Sequence, residues 1–466
     1  MKFDLNVNNL GKISNAQLKI RPFTVISGKN SSGKSFITRS LYSIFNVFNR
    51  DLTYTFLRNI HNEILIQLEI FSFRDEDYTE SLKKLLSDID FVENTYLNVG
   101  SVKNISKMDI KNKMTHIADR LSIFIKYLEN YENKVERFFH RNNSLISNLK
   151  RLEKLIYDEE SFELEYIESE LKKSFCENFQ ISSLNNLINR TNNKNNAEIS
   201  FGNAKSNLQD SSKSMLCNIS IEHNAIDYKI YHSFINECKS FKNVLYLESP
   251  IYFRMLRAIR RVGKISIGSP KINLSGIPQY VYNMIEHLED RRYVENSISL
   301  PILMKRVSEE LKGRIDIKNS GLNISYIDED GNDFPLEQTA MGIINLGILS
   351  LLINNGIIEK GSSIFIDEPE TNLHPEWQIL MLEILYALSV NGVNVVIATH
   401  SNSILKKIQK IIESKQNENT LELDFFGINY LKDGSSLRLN DNPLLATIEV
   451  LEDLNLPYAS VEFGLM

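Results

Sequence analysis

Gly28-Lys29-Asn30-Ser31-Ser32-Gly33-Lys34-Ser35 is a complete G-x-x-x-x-G-K-[ST] stretch, and its surroundings decide how to read it. The apolar run Phe23-Thr24-Val25-Ile26 leads into it, and the amphipathic stretch Ser35 to Phe48 leads out. That order predicts a strand, a glycine-rich loop and a helix. Glycines let the backbone curl until successive N–H groups face an anion, and the helix N-terminus adds partial positive charge. Gly28 to Phe36 is therefore the expected phosphate cradle. Within it Lys34 reaches the β- and γ-phosphates of a nucleotide, and Ser35 offers a hydroxyl to Mg²⁺.

Far downstream, Ile364-Phe365-Ile366-Asp367-Glu368-Pro369 is an apolar run of high β propensity that ends in paired carboxylates. A buried strand of this kind would deliver Asp367 to a metal and Glu368 to an attacking water. Val395-Val396-Ile397-Ala398-Thr399-His400 is a second such run, ending in a histidine. Taken singly, the carboxylates read as a solvated strand end and His400 as a loop histidine. Three strand ends in order reverse that balance, because ligands in open α/β sheets sit off the carboxyl ends of the strands.

Together the phosphate loop, I-F-I-D-E-P-E-T-N-L-H-P-E-W-Q and V-V-I-A-T-H-S resemble the ABC-type ATPase core of the OLD and SMC-like families. The resemblance implies an α/β fold, an ABC-type P-loop NTPase core, that binds ATP with Mg²⁺ and hydrolyses it. It implies Glu368 as the catalytic base and His400 as the sensor of the γ-phosphate. It also implies that Thr371 to Glu376 crosses to a partner subunit. Gln338-Thr339-Ala340-Met341-Gly342-Ile343 stands where the family signature caps the other protomer's nucleotide, which assigns Thr339 and Gly342 to nucleotide binding. This copy departs from the usual serine–glycine form, with Ala340 and Met341 where a serine is usual. Thr339 as the cap of the following helix is a second reading, compatible with the first.

Composition sets bounds on the rest. At 466 residues with 42% apolar side chains, the chain is long enough to bury one or two full cores. Cys176, Cys217 and Cys238 form no C-x-x-C pair, so a reducing cytoplasm is the expected setting. Met1 to Val7 has no apolar core of a signal peptide, and no stretch approaches the roughly 18 apolar residues of a membrane span. The net charge of −6 gives no general attraction to nucleic acid. Arg254, Arg257, Arg260, Arg261 and Lys264 are nonetheless clustered, with Arg254, Arg257 and Arg261 on one helical face. Such a patch suits DNA, RNA, an acidic partner or a nucleotide phosphate, and equally a solvated helix face.

Lys34 and Asp367 are 333 residues apart, more than a nucleotide-binding core needs, so a large insertion lies between them. Residues 1–48 read as the N-terminal part of the core, with strands at Phe3–Val7 and Ala16–Ile20 before the phosphate loop. Residues 49–240 read as a helical insertion and 241–466 as the C-terminal part of the core, starting at the strand-like Asn243 to Pro250. Inside the insertion Ile117, Leu121, Phe124, Leu128, Tyr131, Val135, Phe138, Asn142, Leu145, Leu149, Leu152 and Ile156 alternate spacings of four and three. That is a coiled-coil seam about 60 Å long, or alternatively one long helix of an all-α lobe. Its partner is the segment Phe56 to Leu68, the segment Phe162 to Phe175, or another subunit. Asn185 to Asn196 reads as an exposed loop, Leu216 to Tyr231 as paired strands, and Asp328-Glu329-Asp330-Gly331 as a turn.

The 66 residues after His400 contain no D-x-D pair, unlike the nuclease domain of OLD-type nucleases. Three functions follow from the resemblance. The first is the ATPase subunit of a bacterial antiviral defence complex, like the ATPases of Septu, PARIS or some retrons. In it the chain dimerises around Mg-ATP and controls a separate effector such as a nuclease or toxin. The second is an SMC-like ATPase of DNA repair or chromosome maintenance. The third is a nucleotide-dependent scaffold or sensor without turnover.

Overall fold

A computed structural model describes residues 1–50, 159–191, 194–204, 215–259, 274–289, 300–318, 323–418 and 422–462, with isolated positions between these ranges. The chain forms two compact units. Met1–Asn49, Ser174–Gly263 and Leu274–Met466 make one, and Arg50–Lys173 with Lys264–Asn273 the other.

The larger unit is built on one sheet. Its strands run in sequence from β1 (Phe3–Leu10), β2 (Ile13–Ile20) and β3 (Phe23–Gly28) to β4 (Asn196–Asn203), β5 (Met215–Glu222), β6 (Ala225–Ile230) and β7 (Val244–Leu247). A separate antiparallel sheet of β8 (Gly313–Lys318), β9 (Asn323–Asp328) and β10 (Asp333–Pro335) comes next in the chain. The chain then returns to the main sheet with β11 (Ser363–Asp367), β12 (Asn394–Thr399), β13 (Phe426–Lys432) and β14 (Ser435–Ser436). Among the described residues the main sheet has the order β6-β5-β4-β1-β2-β14-β13-β3-β12-β11-β7.

Two kinds of strand share this sheet, and the side-chain patterns say why. β1 and β2 alternate buried and more exposed positions, as antiparallel strands with one covered face do. β3, β11 and β12 are buried at every position and pair in parallel, which requires cover on both faces. Asn429 of β13 joins the two halves. Its side chain accepts from the Lys19 amide at 2.7 Å and donates to the Lys19 carbonyl at 3.1 Å.

The helix Lys34–Asn49 packs on this sheet through aromatic side chains. Phe45 lies with its ring centroid 6.0 Å from Phe3, 5.7 Å from Phe201 and 6.0 Å from Phe234. All four rings are fully buried. Each contributes about 1.5–3 kcal/mol through burial, so β1, β4 and the helix His232–Ser240 are held to the phosphate-loop helix as one core.

This corrects the expected extent of the insertion. Asn196–Asn203, Met215–Glu222 and Ala225–Ile230 are not helical but form β4, β5 and β6 on the edge of the main sheet, and the larger unit resumes at Ser174 instead of 241. Neighbouring registers make the point: Phe3 faces Asn203 on β4 as well as Ile20 on β2. The paired strands read at Leu216 to Tyr231 are β5 and β6, and β4 was hidden because Asn196–Asn203 offers only Ala197, Ile199 and Phe201 to the core.

In the smaller unit, Phe56, Leu57, Ile60 and Ile89 are buried, and the Phe56 ring lies 5.2 Å from that of Tyr166. The seam positions from Ile117 to Ile156 lie outside the described residues. Among the described residues, no helix is long and apolar enough to cross a membrane.

Candidate active site

Parallel pairing aligns four strand ends. Ser27 of β3 is opposite Thr399 of β12, Ala398 of β12 opposite Asp367 of β11, and Ile366 of β11 opposite Leu247 of β7. The segment Gly28–Ser35, the pair Asp367–Glu368, His400 and Glu248 therefore leave the sheet along one edge. Residues far apart in the chain are brought together because the sheet interleaves its first and last thirds.

The loop itself needs its glycines. Gly33 has φ +104°, and a Cβ there would lie 2.3 Å from the Ile13 side chain. At Gly28 a Cβ would meet the Leu431 carbonyl at 2.4 Å. Ser31 adopts φ 64°, so the chain between Lys29, Asn30, Ser32 and Gly33 coils tightly. Lys34 is buried, and its Nζ donates to the carbonyls of Gly28 at 2.9 Å and Lys29 at 3.0 Å. Burial lowers its pKa, opposed by Glu368, Asp367 and Glu370. Phe36 follows, its ring 5.5 Å from that of Phe179.

Asp367 is buried at the tip of β11. The Ser35 side chain lies near enough to its carboxylate to favour the charged form, and the Tyr246 hydroxyl on β7 donates to Oδ2 at 3.4 Å. Its Oδ1 is buried with no hydrogen-bond partner. A carboxylate oxygen left in that state, beside a serine hydroxyl, is a donor set that fits a hard divalent cation such as Mg²⁺. Desolvation by burial raises the Asp367 pKa to about 6, with Glu248 and Glu368 adding to the rise and Ser35 and Arg39 opposing it.

That shift has a measurable sign. The folded pKa stands above the unfolded value near 4, so the folded state binds the extra proton between about pH 4 and 6. Stability falls as pH rises through that window, and above it a cost of about 2–3 kcal/mol is fully present. Asp367→Asn is therefore expected to raise the urea midpoint of the metal-free protein at pH 7.5 and to leave it near wild type at pH 4. Equal midpoints at pH 7.5 would show that burial of this carboxylate carries no such cost.

Glu368 differs from its neighbour in every respect. Its side chain is 41% exposed, and its backbone sits at φ 52°, a region few glutamates adopt. The turn is held by the Glu368 amide donating to the Ala398 carbonyl at 2.9 Å and by the Thr371 amide donating to the Glu368 carbonyl at 3.0 Å. His400 Nδ1 lies 3.4 Å from Glu368 Oε1. An accessible carboxylate beside a buried one is the division of labour that metal-assisted hydrolysis needs.

Glu370 is a further member that sequence reasoning missed. It is 7% exposed. Its Oε1 accepts from the Thr399 hydroxyl at 2.7 Å and the His400 amide at 2.9 Å, and lies 3.3 Å from His400 Nδ1. The second carboxylate of D-E-P-E was the available signal, but a lone glutamate in a loop is normally exposed. Tyr246 and Glu248 were missed for a similar reason, lying in a run read for its strand character alone. Glu248 pairs with Arg39 at 2.8 Å and accepts from the Tyr280 hydroxyl.

Thr339 and Gly342 occupy a different setting from the phosphate loop. The helix Met341–Asn354 is capped by Ala340 and not by Thr339, whose hydroxyl donates to the Pro335 carbonyl at 3.0 Å. Gly342 lies close to the loop after β11, where a Cβ would meet the Asn372 carbonyl at 2.8 Å. The basic cluster also differs from expectation. The helix Ile251–Arg254 stops at a turn at Met255, so Arg254 and Arg257 do not share one continuous helical face. Arg254 donates to the Thr339 carbonyl, and Arg257 lies 3.8 Å from Glu337. Arg260, Arg261 and Lys264 lie outside the described residues.

Residues 1–405 match the AAA ATPase domain family. The chain belongs to it. The matched range includes the phosphate loop, Asp367, Glu368 and His400. No curated protein matches the chain. Among solved structures, the Smc head domain with an extended coiled coil bound to the C-terminal domain of ScpA, from Pyrococcus furiosus, is similar at 10% identity. It covers 97% of this ATPase and 99% of that chain, with a TM-score of 0.42. The SMC head domain from Thermotoga maritima is similar at 11% identity over 94% and 97% of the two chains, with a TM-score of 0.35.

Proposed function

We propose that this AAA ATPase domain protein binds Mg-ATP and hydrolyses it, and that two copies close around the nucleotide. The observation that carries this reading is the buried, unpartnered Asp367 Oδ1 beside Ser35, on the strand edge from which Lys34 and Glu368 also project. Mg²⁺ held by Ser35 and Asp367 would neutralise charge developing on the β- and γ-phosphate oxygens. Lys34 would exchange its two loop carbonyls for those phosphates, a charge-assisted gain in a buried setting. Glu368, accessible where Asp367 is not, would orient water and take its proton. His400 would hydrogen-bond the γ-phosphate and report its presence to the helix Asn402–Asn417, whose cap Ser401 follows it directly.

Thr339 and Gly342 of one copy would close over the nucleotide of the other. Their contacts to Pro335, Arg254 and the loop after β11 support a segment turned away from its own phosphate loop. ATP would favour the closed pair through contacts that ADP lacks, which is the differential affinity a switch requires.

The motif resemblance supports a finer reading, an ATPase subunit of a bacterial antiviral defence complex that controls a separate effector such as a nuclease. Native pull-down of Glu368→Gln from its own host, with proteins and nucleic acids identified, tests it. A stoichiometric nuclease or toxin is the expected result. Recovery of DNA with repair factors, or of the ATPase alone, would overturn the effector reading.

A further inference from the structure

We propose that Glu370 is the positioning residue of His400, holding the imidazole proton on Nδ1 and leaving Nε2 as the acceptor of the ring. This rests on the ATPase reading of the site.

Glu370 Oε1 is the point where two loops meet. It takes the Thr399 hydroxyl and the His400 amide, both neutral donors, and stands 3.3 Å from His400 Nδ1. A carboxylate this buried is costly without a strong donor, and a protonated Nδ1 3.3 Å away would supply one. Its place is preset, because Asn345 Nδ2 donates to the carbonyls on either side, Pro369 at 3.4 Å and Thr371 at 3.2 Å.

Glu368 competes for the same proton, with Oε1 3.4 Å from Nδ1. The two carboxylates differ in burial, 6% exposed for the Glu370 side chain against 41% for Glu368. Water screens the exposed one, so the buried one binds the ring N–H more strongly. Glu370 thereby keeps the ring proton of His400 off Glu368 Oε1 and leaves that oxygen able to serve water. A carboxylate that fixes the tautomer of a working histidine is a recurrent device.

The test uses the full chain labelled with ¹⁵N-histidine, with the His400 signals assigned by their loss in His400→Gln. Long-range ¹H–¹⁵N spectra of the nucleotide-free protein, above the titration of the imidazole, read the tautomer directly. The Nδ1–H form is expected in the wild type, whereas an unconstrained imidazole favours Nε2–H. Glu370→Gln retains a carbonyl for Thr399 and the His400 amide but loses the charge, and is expected to move His400 toward Nε2–H. Wild type in the Nε2–H form, or a tautomer unmoved by Glu370→Gln, would overturn the proposal.

Turnover gives a second arm. Glu370→Gln is expected to lower kcat by about 10- to 100-fold and to cost nothing further in a His400→Gln background. Losses that add in full would count against positioning through His400. If the wild type hydrolyses no ATP, the ATPase reading fails while the tautomer still decides the role of Glu370.

Discussion

Glu368→Gln is expected to slow ATP hydrolysis by about 10²–10⁴-fold, the usual contribution of a general base, while ATP binding stays intact. The substitution keeps the shape and the hydrogen bond to Thr371, since an amide oxygen accepts from that hydroxyl as a carboxylate does. It removes the negative charge that would take a proton from water. With hydrolysis stopped and closure unaffected, the variant is expected to accumulate as a dimer in Mg-ATP and to remain open in ADP. Phosphate release reads the loss of turnover, and size-exclusion chromatography with light scattering reads the assembly state in ATP and in ADP. Wild-type turnover in Glu368→Gln would remove this residue from the role of base and leave Glu370 and His400 as the remaining groups at that edge.

Lys34→Ala is expected to weaken ATP binding by about 100-fold or more, since losing one charge-assisted contact to phosphate costs about 3 kcal/mol. Lys34 Nζ bridges the Gly28 and Lys29 carbonyls from within the loop, with burial lowering its pKa and the nearby carboxylates opposing that shift. Alanine removes both the phosphate contact and that brace. Lys34→Arg separates the two losses, because the guanidinium keeps the charge but is too large for a loop this closely packed. Titration calorimetry with ATP analogues measures both variants. Retained affinity in Lys34→Ala would place the nucleotide elsewhere.

The phosphate loop, Asp367–Glu368 and His400 were legible because each follows an apolar run whose composition allows little but a buried strand. What the sequence could not convey is burial of a polar side chain. Glu370 and Glu368 are the same residue type two positions apart, yet one is buried and braced by Asn345 while the other is open. That difference arises from the helix Met341–Asn354, which no local pattern ties to this loop. β4 escaped for a related reason. Its three core positions are too few to stand out from an asparagine-rich surrounding, and its strand character comes from pairing with β1 across nearly the whole insertion. Arg254 and Arg257 were legible as a cluster but not as side chains reaching the Thr339 segment, because a turn at Met255 breaks the assumed helix.

The place of β3 between β12 and β13 has a consequence for how the molecule is made. As the chain leaves the ribosome, β3 emerges more than 360 residues ahead of β12 and β13, its two neighbours in the sheet. Until those strands arrive, a strand that is buried at every position in the folded protein keeps two open edges, the condition that invites association with other chains. Closing so long a loop adds little entropy beyond that of a shorter one, so the difficulty is one of waiting time and not of final stability. The strand-end cluster is therefore assembled in a single late step, and a nascent chain lacks it until β12 and β13 have been made.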